Sequence, residues 1–393
     1  MPERALVYIH THAPPTAGGT PVLLHRLLSG PALPPLHVLT DRKLRTRLSC
    51  DGEHVLPGRY HFFLRKGPRG NRWCVGRTIN GVVNLALAVI AGIQGAWLVH
   101  RARAGWVLSV ADEGFSPLAG SIAARIAGRP HLLMVFDLWE ENAYTEFERA
   151  VAHALERRLF SGANRVIVHC REMAEHYREK YGISCVILPT SVEPPESSTP
   201  PLGIGAERSE VLYAGAVYWA QEDALRRLSG VVARLDDVAL TIVGSWSNRD
   251  ALVRKGIATD QLEPDLPPVI FRRRLTRADV LFLGLGFGTP YPDVVRTASP
   301  AKLPEYMAAG RPILVHAPAG SHVAEYAREA DFAEVVDIAD ETALERGLLR
   351  ILGNPELSSR RAARALELAR GRHAAASVRS AFTALLDGVL EAG

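Results

Sequence analysis

Residues 299–315 read SPAKLPEYMAAGRPILV. Ser299 is a favoured N-cap and Pro300 suits the first helical position, which predicts a helix starting here. The segment YMAAG closes it, with Gly310 able to take the left-handed cap conformation, and RPILV reads as a buried strand. A helix that opens behind a loop offers amides to an anion, and Lys302 in its first turn adds a positive charge. Glu305 lies three residues on, faces the same side as Lys302 and suits sugar hydroxyls beside a bound phosphate. A capped surface helix with an i, i+3 ion pair explains the same residues equally well.

At 393 residues the chain is too long for one ordinary core, and two domains are the natural division. Apolar content of 47% with 22% charged residues describes a soluble, enzyme-sized protein. The formal charge of +4 is unevenly placed: residues 1–100 hold 12 Lys plus Arg against 4 Asp plus Glu. That excess points to an anionic substrate or surface near the first domain. The four cysteines, Cys50, Cys74, Cys170 and Cys185, show no CxxC or metal-ligand spacing, which predicts a reducing, cytoplasmic setting. The run from Ile79 to His100 is just long enough to span a bilayer. Asn80, Asn84 and Gln94 interrupt it, and it is read as a buried helix of the first domain. Segment 61–77 alternates Phe62, Phe63 and Trp73 with Arg65, Lys66, Arg69, Arg72 and Arg77. This mixture suits peripheral contact with a membrane surface or an anionic acceptor; a solvated basic loop is the plainer reading.

Short apolar strands recur between helical patterns along the chain, the signature of two doubly wound α/β units. The first set is ALVYIH, LHVLT, GWVLSV, HLLMVFD, RVIVHC and CVILP; the second is VLYAG, ALTIVGS, VIF, VLFLGL, PILVHA and AEVVD. The expected domains are 1–195 and 209–371, joined by a Pro/Ser/Gly-rich linker at 196–208, with a final helix at 372–393 free to pack back on the first domain. Ligands of such sheets bind at the carboxyl ends of strands. After the first strand, Gly18 and Gly19 allow close backbone approach to a ligand, and Thr20 with Pro21 opens a helix. Neither a GxGxxG dinucleotide fingerprint nor a GxxxxGK[ST] phosphate loop is present there, and LGLGFG at 283–288 has no acidic partner about 20 residues on.

Two helix-start anion sites, one per domain, suggest a diphosphate-bearing donor held in a cleft between domains. Residues 299–315 resemble the donor motif of GT-B glycosyltransferases of family four, which transfer a sugar from a nucleotide diphosphate with retention. Segments 128–141, 163–182, 211–216 and 240–245 and the Gly18–Gly19 loop match in order and spacing. The resemblance implies a GT-B fold, two Rossmann-like domains facing across a cleft. It further implies that Ser299, Ala301 and Lys302 hold the diphosphate and Glu305 the ribose. Gly18 and Gly19 approach the phosphate, Gly215 begins the second domain's loop, and Gly244 and Ser245 lie near the nucleobase with Trp246 as a stacking surface. Asp137 faces the transferred sugar and the acceptor, with Glu140 or Glu141 beside it. The family's first glutamate is replaced by Thr297, and the Arg and Lys that usually follow Gly215 are absent. Arg272, Arg273 and Arg274 are candidates to compensate, though surface charge explains them as well.

Departure of a nucleotide diphosphate needs fixed positive charge more than a strong base, which Lys302, the helix-start amides and the Gly18–Gly19 loop supply; with Glu305 and Asp137, placed by the resemblance at the ribose and the transferred sugar, Lys302 makes up the expected catalytic set. No cofactor or metal is expected, and no Asp-x-Asp triplet occurs in the chain. The alternatives are a nucleotide-sugar epimerase or hydrolase of the same fold, and a catalytically silent protein that binds a nucleotide sugar. A nucleic-acid binder ranks last, because no groove-reading pattern accompanies the basic first 100 residues. The acceptor is expected among envelope glycans, lipid-linked sugars or small molecules, with the enzyme cytoplasmic or peripheral at the inner membrane face.

Overall fold

The computed structural model describes all residues except 1–3, 17, 47, 49–54, 66–73, 113, 144, 196–207, 245–248 and 392–393. The linker reading at 196–208 therefore lies outside the described residues save for Arg208, as do Ser245, Trp246 and most of the basic part of 61–77. The chain divides into two compact units, Met1–Thr190 with Ala375–Gly393, and Ser191–Ala374.

In the first unit β1 (Leu6–Ile9), β2 (Leu36–Asp41), β3 (Gly58–Phe63), β4 (Trp106–Ala111), β5 (His131–Val135), β6 (Arg165–Val168) and β7 (Cys185–Ile187) form one sheet. Its order is β3-β2-β1-β4-β5-β6-β7 and every pairing is parallel. The crossovers carry α1 (Gly19–Leu28), α2 (Cys74–Ala102), α3 (Ser116–Ala127), α4 (Glu146–Ser161) and α5 (Arg171–Tyr181). Helices on both faces explain the continuous apolar runs: Leu6–Ile9 and Trp106–Ala111 are buried throughout. β3 is half-exposed at the sheet edge, so its sequence GRYHFF shows no such run.

The second unit pairs β8 (Ser209–Ala214), β9 (Val238–Val243), β10 (Gln261–Glu263), β11 (Val280–Gly284), β12 (Ile313–His316) and β13 (Glu334–Val336) in the order β10-β9-β8-β11-β12-β13. Its helices are α6 (Glu222–Val232), α7 (Arg249–Arg254), α8 (Pro268–Leu275), α9 (Pro292–Thr297), α10 (Lys302–Ala309), α11 (His322–Glu329), α12 (Glu341–Gly353) and α13 (Pro355–Arg370). The strand expected at VIF is instead the start of α8. Pro268 occupies its first turn and the three arginines extend it. The last helix, α14 (Ala375–Glu391), belongs to the first unit. Its Phe382 and Leu386 enter that core, and the Leu386 carbonyl accepts the Trp106 indole N–H at 2.8 Å.

One local start differs from expectation. α9 ends at Thr297, so residues 298–300 are spent turning the chain; the cap of α10 is Ala301, not Ser299, and Lys302 is the first helical residue. Gly310 takes the left-handed cap at φ 60°.

Candidate functional site

The carboxyl end of the second unit's sheet is built around two glycines. Gly215 follows β8 at φ +126°, and an added Cβ would stand 2.9 Å from Lys302 Nζ. Gly244 follows β9 at φ +156°, where a Cβ would stand 2.9 Å from the Gly215 carbonyl oxygen. Both backbone conformations disfavour a side chain, and at Gly244 the backbone contact excludes one as well, whereas at Gly215 the Lys302 side chain could move aside. α10 is tied to this point because the Tyr306 hydroxyl accepts the Ala214 amide at 2.8 Å. Lys302 Nζ lies 3.9 Å from the centroid of the Tyr213 ring. Part of the residue stays open to solvent, but its ammonium is crowded by ring and backbone, and desolvation pushes its pKa down to about 7. Charged and neutral amine are thus nearly balanced at neutral pH, and an arriving anion favours the charged form.

The neighbouring loop is held in place by Asp223 at the start of α6. Its carboxylate accepts the Phe287 and Gly288 amides at 2.8 and 3.0 Å and pairs with Arg227 at 3.1 Å. Burial raises its pKa, and those donors outweigh burial, leaving it below the usual range. His316, at the end of β12, donates its Nδ1–H to the Val336 carbonyl at 3.0 Å and packs on Phe287; burial pushes its pKa down to about 4, so the ring is neutral. Tyr218 and Trp219 are exposed in the segment after Gly215, and Trp219 meets Tyr291 at 5.2 Å. Aromatic faces therefore stand where the Arg/Lys pair was absent from the sequence.

The other expected residues of this unit divide. Ser299, Ala301 and Glu305 lie along the turn and first helical turn that carry Lys302. Pro304 lacks an N–H, and the Leu303 amide already bonds the Pro300 carbonyl at 2.9 Å. The helix start offers fewer amides than its sequence suggested, which leaves Lys302 as the principal positive group. Arg272 is exposed on α8 and directs Nε at the Pro268 carbonyl of its own helix, 3.4 Å away. Arg274, by contrast, is bound by Glu210 and Glu263. Thr297 is buried, its hydroxyl donating to the Asp293 carbonyl at 2.8 Å.

In the first unit Gly18 is the cap of α1 at φ +139°, exposed together with Gly19. Asp137 follows β5 at the same carboxyl edge and is partly buried. Glu140 is bound by Lys180 at 3.0 Å and His153 at 2.9 Å. Glu141 stands 3.8 Å from Lys180, with burial raising its pKa. Both carboxylates thus sit in a network that also satisfies the buried Glu156, 2.8 Å from Lys180. Sequence reasoning missed His10 at the end of β1. Its Nε2 lies 2.9 Å from Asp112 and its Nδ1 2.8 Å from the Tyr8 hydroxyl. Both ring nitrogens are engaged, so His10 fixes Asp112 in place rather than offering a free base. A shallow, solvent-open depression lies nearby, lined by Thr11, Phe63, Leu87, Phe115, Ser116 and Glu148.

No protein-family model matches this sequence, and no curated protein matches it significantly. Solved structures do match in fold. Sucrose-phosphate synthase from Thermosynechococcus elongatus superposes with a TM-score of 0.70 at 15% identity, covering 99% of this chain and 100% of that one. Anabaena HepE, in complex with UDP and glucose, gives 0.67 at 14%, covering 98% and 100%. A putative UDP-N-acetylglucosamine 2-epimerase from Listeria monocytogenes gives 0.59 at 14%, covering 100% and 98%. With two parallel Rossmann-like sheets of seven and six strands, the fold is GT-B.

Proposed function

We propose that the chain is a glycosyltransferase that moves a sugar from a nucleotide-diphosphate donor to an acceptor hydroxyl, with retention and without a metal. The observation that carries this reading is the junction of Gly215, Gly244 and Lys302: two side-chain-free approaches beside one desolvated, partly exposed amine. A diphosphate seated there draws a proton onto Lys302, and the restored ammonium stabilises charge building on the bridging oxygen as the sugar departs. Glu305 binds ribose hydroxyls, with Ser299 and Ala301 lining the phosphates. Tyr218 and Trp219 offer faces for stacking. Asp137 orients the acceptor and stabilises positive charge at the sugar, while the departing phosphate takes the acceptor's proton. The depression beside Thr11 is the proposed acceptor site, and its mostly apolar lining suits an envelope glycolipid, a lipid-linked sugar or an apolar natural product handled at the cytoplasmic side.

Among the similar structures one holds UDP and glucose, which makes UDP-sugars the first donors to test. The test is product analysis with labelled UDP-sugars and lipid-linked or small-molecule acceptors. A labelled conjugate supports transfer. An isomerised or free sugar without a conjugate places the chain with epimerases or hydrolases, a reading favoured by the epimerase match. Donor binding without turnover identifies a silent protein, a reading favoured by Thr297 and the missing Arg/Lys pair.

A further inference from the structure

α2 has two apolar faces and only one of them is covered. The window Thr78–Ala102 has a mean hydropathy of 2.0. Gly92 and Gly95 on one side are pressed so closely on Ile122 and Ile9 that an added Cβ would stand 2.7 and 2.8 Å from them. This face fixes the helix to α3 and to β1, so the expectation of a buried helix holds for this face only, 39% of the window being buried. On the other side Ile79, Val82, Val89, Ile90, Ile93 and Trp97 are 39–58% exposed. At 3.6 residues per turn and 1.5 Å rise they fall within an arc of about 100° and form a strip about 27 Å long. Ile126 on α3, also exposed and one turn beyond the Ile122 that packs on Gly92, widens it. A continuous apolar strip of this size marks an interaction surface.

We propose that this strip rests in the interface of an anionic lipid bilayer, with α2 parallel to the membrane plane. Charge selects the occupant. From residue 54 to 111 the sequence holds eight Lys or Arg and no Asp or Glu. Arg101, Arg103, Arg125 and Arg129 are exposed at the ends of α2 and α3, and the Arg101 guanidinium lies 5.0 Å from the Trp97 ring. Indole and cation side by side at the edge of an apolar strip fit the headgroup level, with the aliphatic residues dipping into the acyl boundary. A second copy fits less well. Twofold pairing of the strip sets the cations of one chain against those of the other in either direction, with no acid on this segment to relieve them. This inference stands independently of the proposed transfer activity.

Vesicle flotation of the full chain tests it, with phosphatidylcholine alone and with about 30 mol % phosphatidylglycerol. The chain is expected to float with the anionic vesicles and to be released as salt rises. Ile90→Glu with Ile93→Glu is expected to weaken binding at least about tenfold at unchanged Tm, because both residues face solvent. Ile90→Ser with Ile93→Ser is the milder variant should the glutamates disturb folding. Arg101→Glu with Arg103→Glu is expected to weaken binding to the anionic vesicles only. Failure of the wild type to float, or undiminished flotation of the isoleucine variants, overturns the proposal. So does a dimer in light scattering that those variants split, since a second copy then covers the strip.

Discussion

Replacing Lys302 with methionine should stabilise the ligand-free protein while abolishing its proposed use. The side chain is unbranched and of similar length, so Met can keep the contact with the Tyr213 ring without a charge. Desolvation holds the amine at about 7 against an ordinary 10.5, a difference that corresponds to about 5 kcal/mol. At pH 7, where the folded amine is half protonated, the gain on substitution is therefore about 4 kcal/mol, or roughly 10 °C in Tm. The sign with pH follows from the depressed folded-state value. Between about pH 7 and 10.5 the unfolded chain holds a proton that the folded chain lacks, so wild-type stability rises across that window and is lowest below it. Urea denaturation of both proteins at intervals from pH 6 to 10 measures this difference directly. The gap should be widest at the acid end and shrink towards pH 10. A variant no more stable than wild type at pH 7, or a gap that stays constant with pH, refutes the reasoning.

Lys180→Met should cost about 3 kcal/mol in urea denaturation, because the buried Glu156 loses the ammonium 2.8 Å away; a loss below about 1 kcal/mol contradicts it. Gly244→Ala should be clearly worse than Gly128→Ala. Both adopt positive φ, but a Cβ at Gly128 meets nothing within 4 Å while one at Gly244 meets the Gly215 carbonyl. We expect about 1 kcal/mol for Gly128→Ala and at least about 2 kcal/mol for Gly244→Ala, and equal Tm losses would remove the close-approach argument. Asp137→Asn should lower turnover about 100-fold; full turnover would remove Asp137 from the mechanism.

What the sequence made legible was whatever depends on local order. Buried parallel strands such as WVLSV and ILVH announce themselves as apolar runs because both sheet faces are covered, and the cap at Gly310 follows from the helix that it ends. Edges were harder: β3 and β10 are half-exposed, so their sequences mix polar and apolar residues, and Pro268 turned an apolar triplet into a helix start. The candidate site was legible in its glycines and in Lys302, since each carries a local signature. Their meeting was not, because it depends on how β8, β9 and α10 pack. The His10–Asp112 pair spans 102 residues and leaves no local pattern beyond a histidine at a strand end. Glu140 was legible as a carboxylate after a strand, but its engagement by Lys180 and His153 needed α4 and α5 in place.

Equilibrium binding of UDP, GDP, dTDP and ADP to the full chain at pH 7, repeated with Lys302→Ala, bears most directly on the site at Gly215, Gly244 and Lys302. One nucleotide class should bind and stabilise the wild type in proportion to the logarithm of its excess over Kd, and the variant should lose at least about tenfold in affinity. Absence of binding by all four, or binding that Lys302→Ala leaves unchanged, would contradict the assignment of this junction to a nucleotide diphosphate.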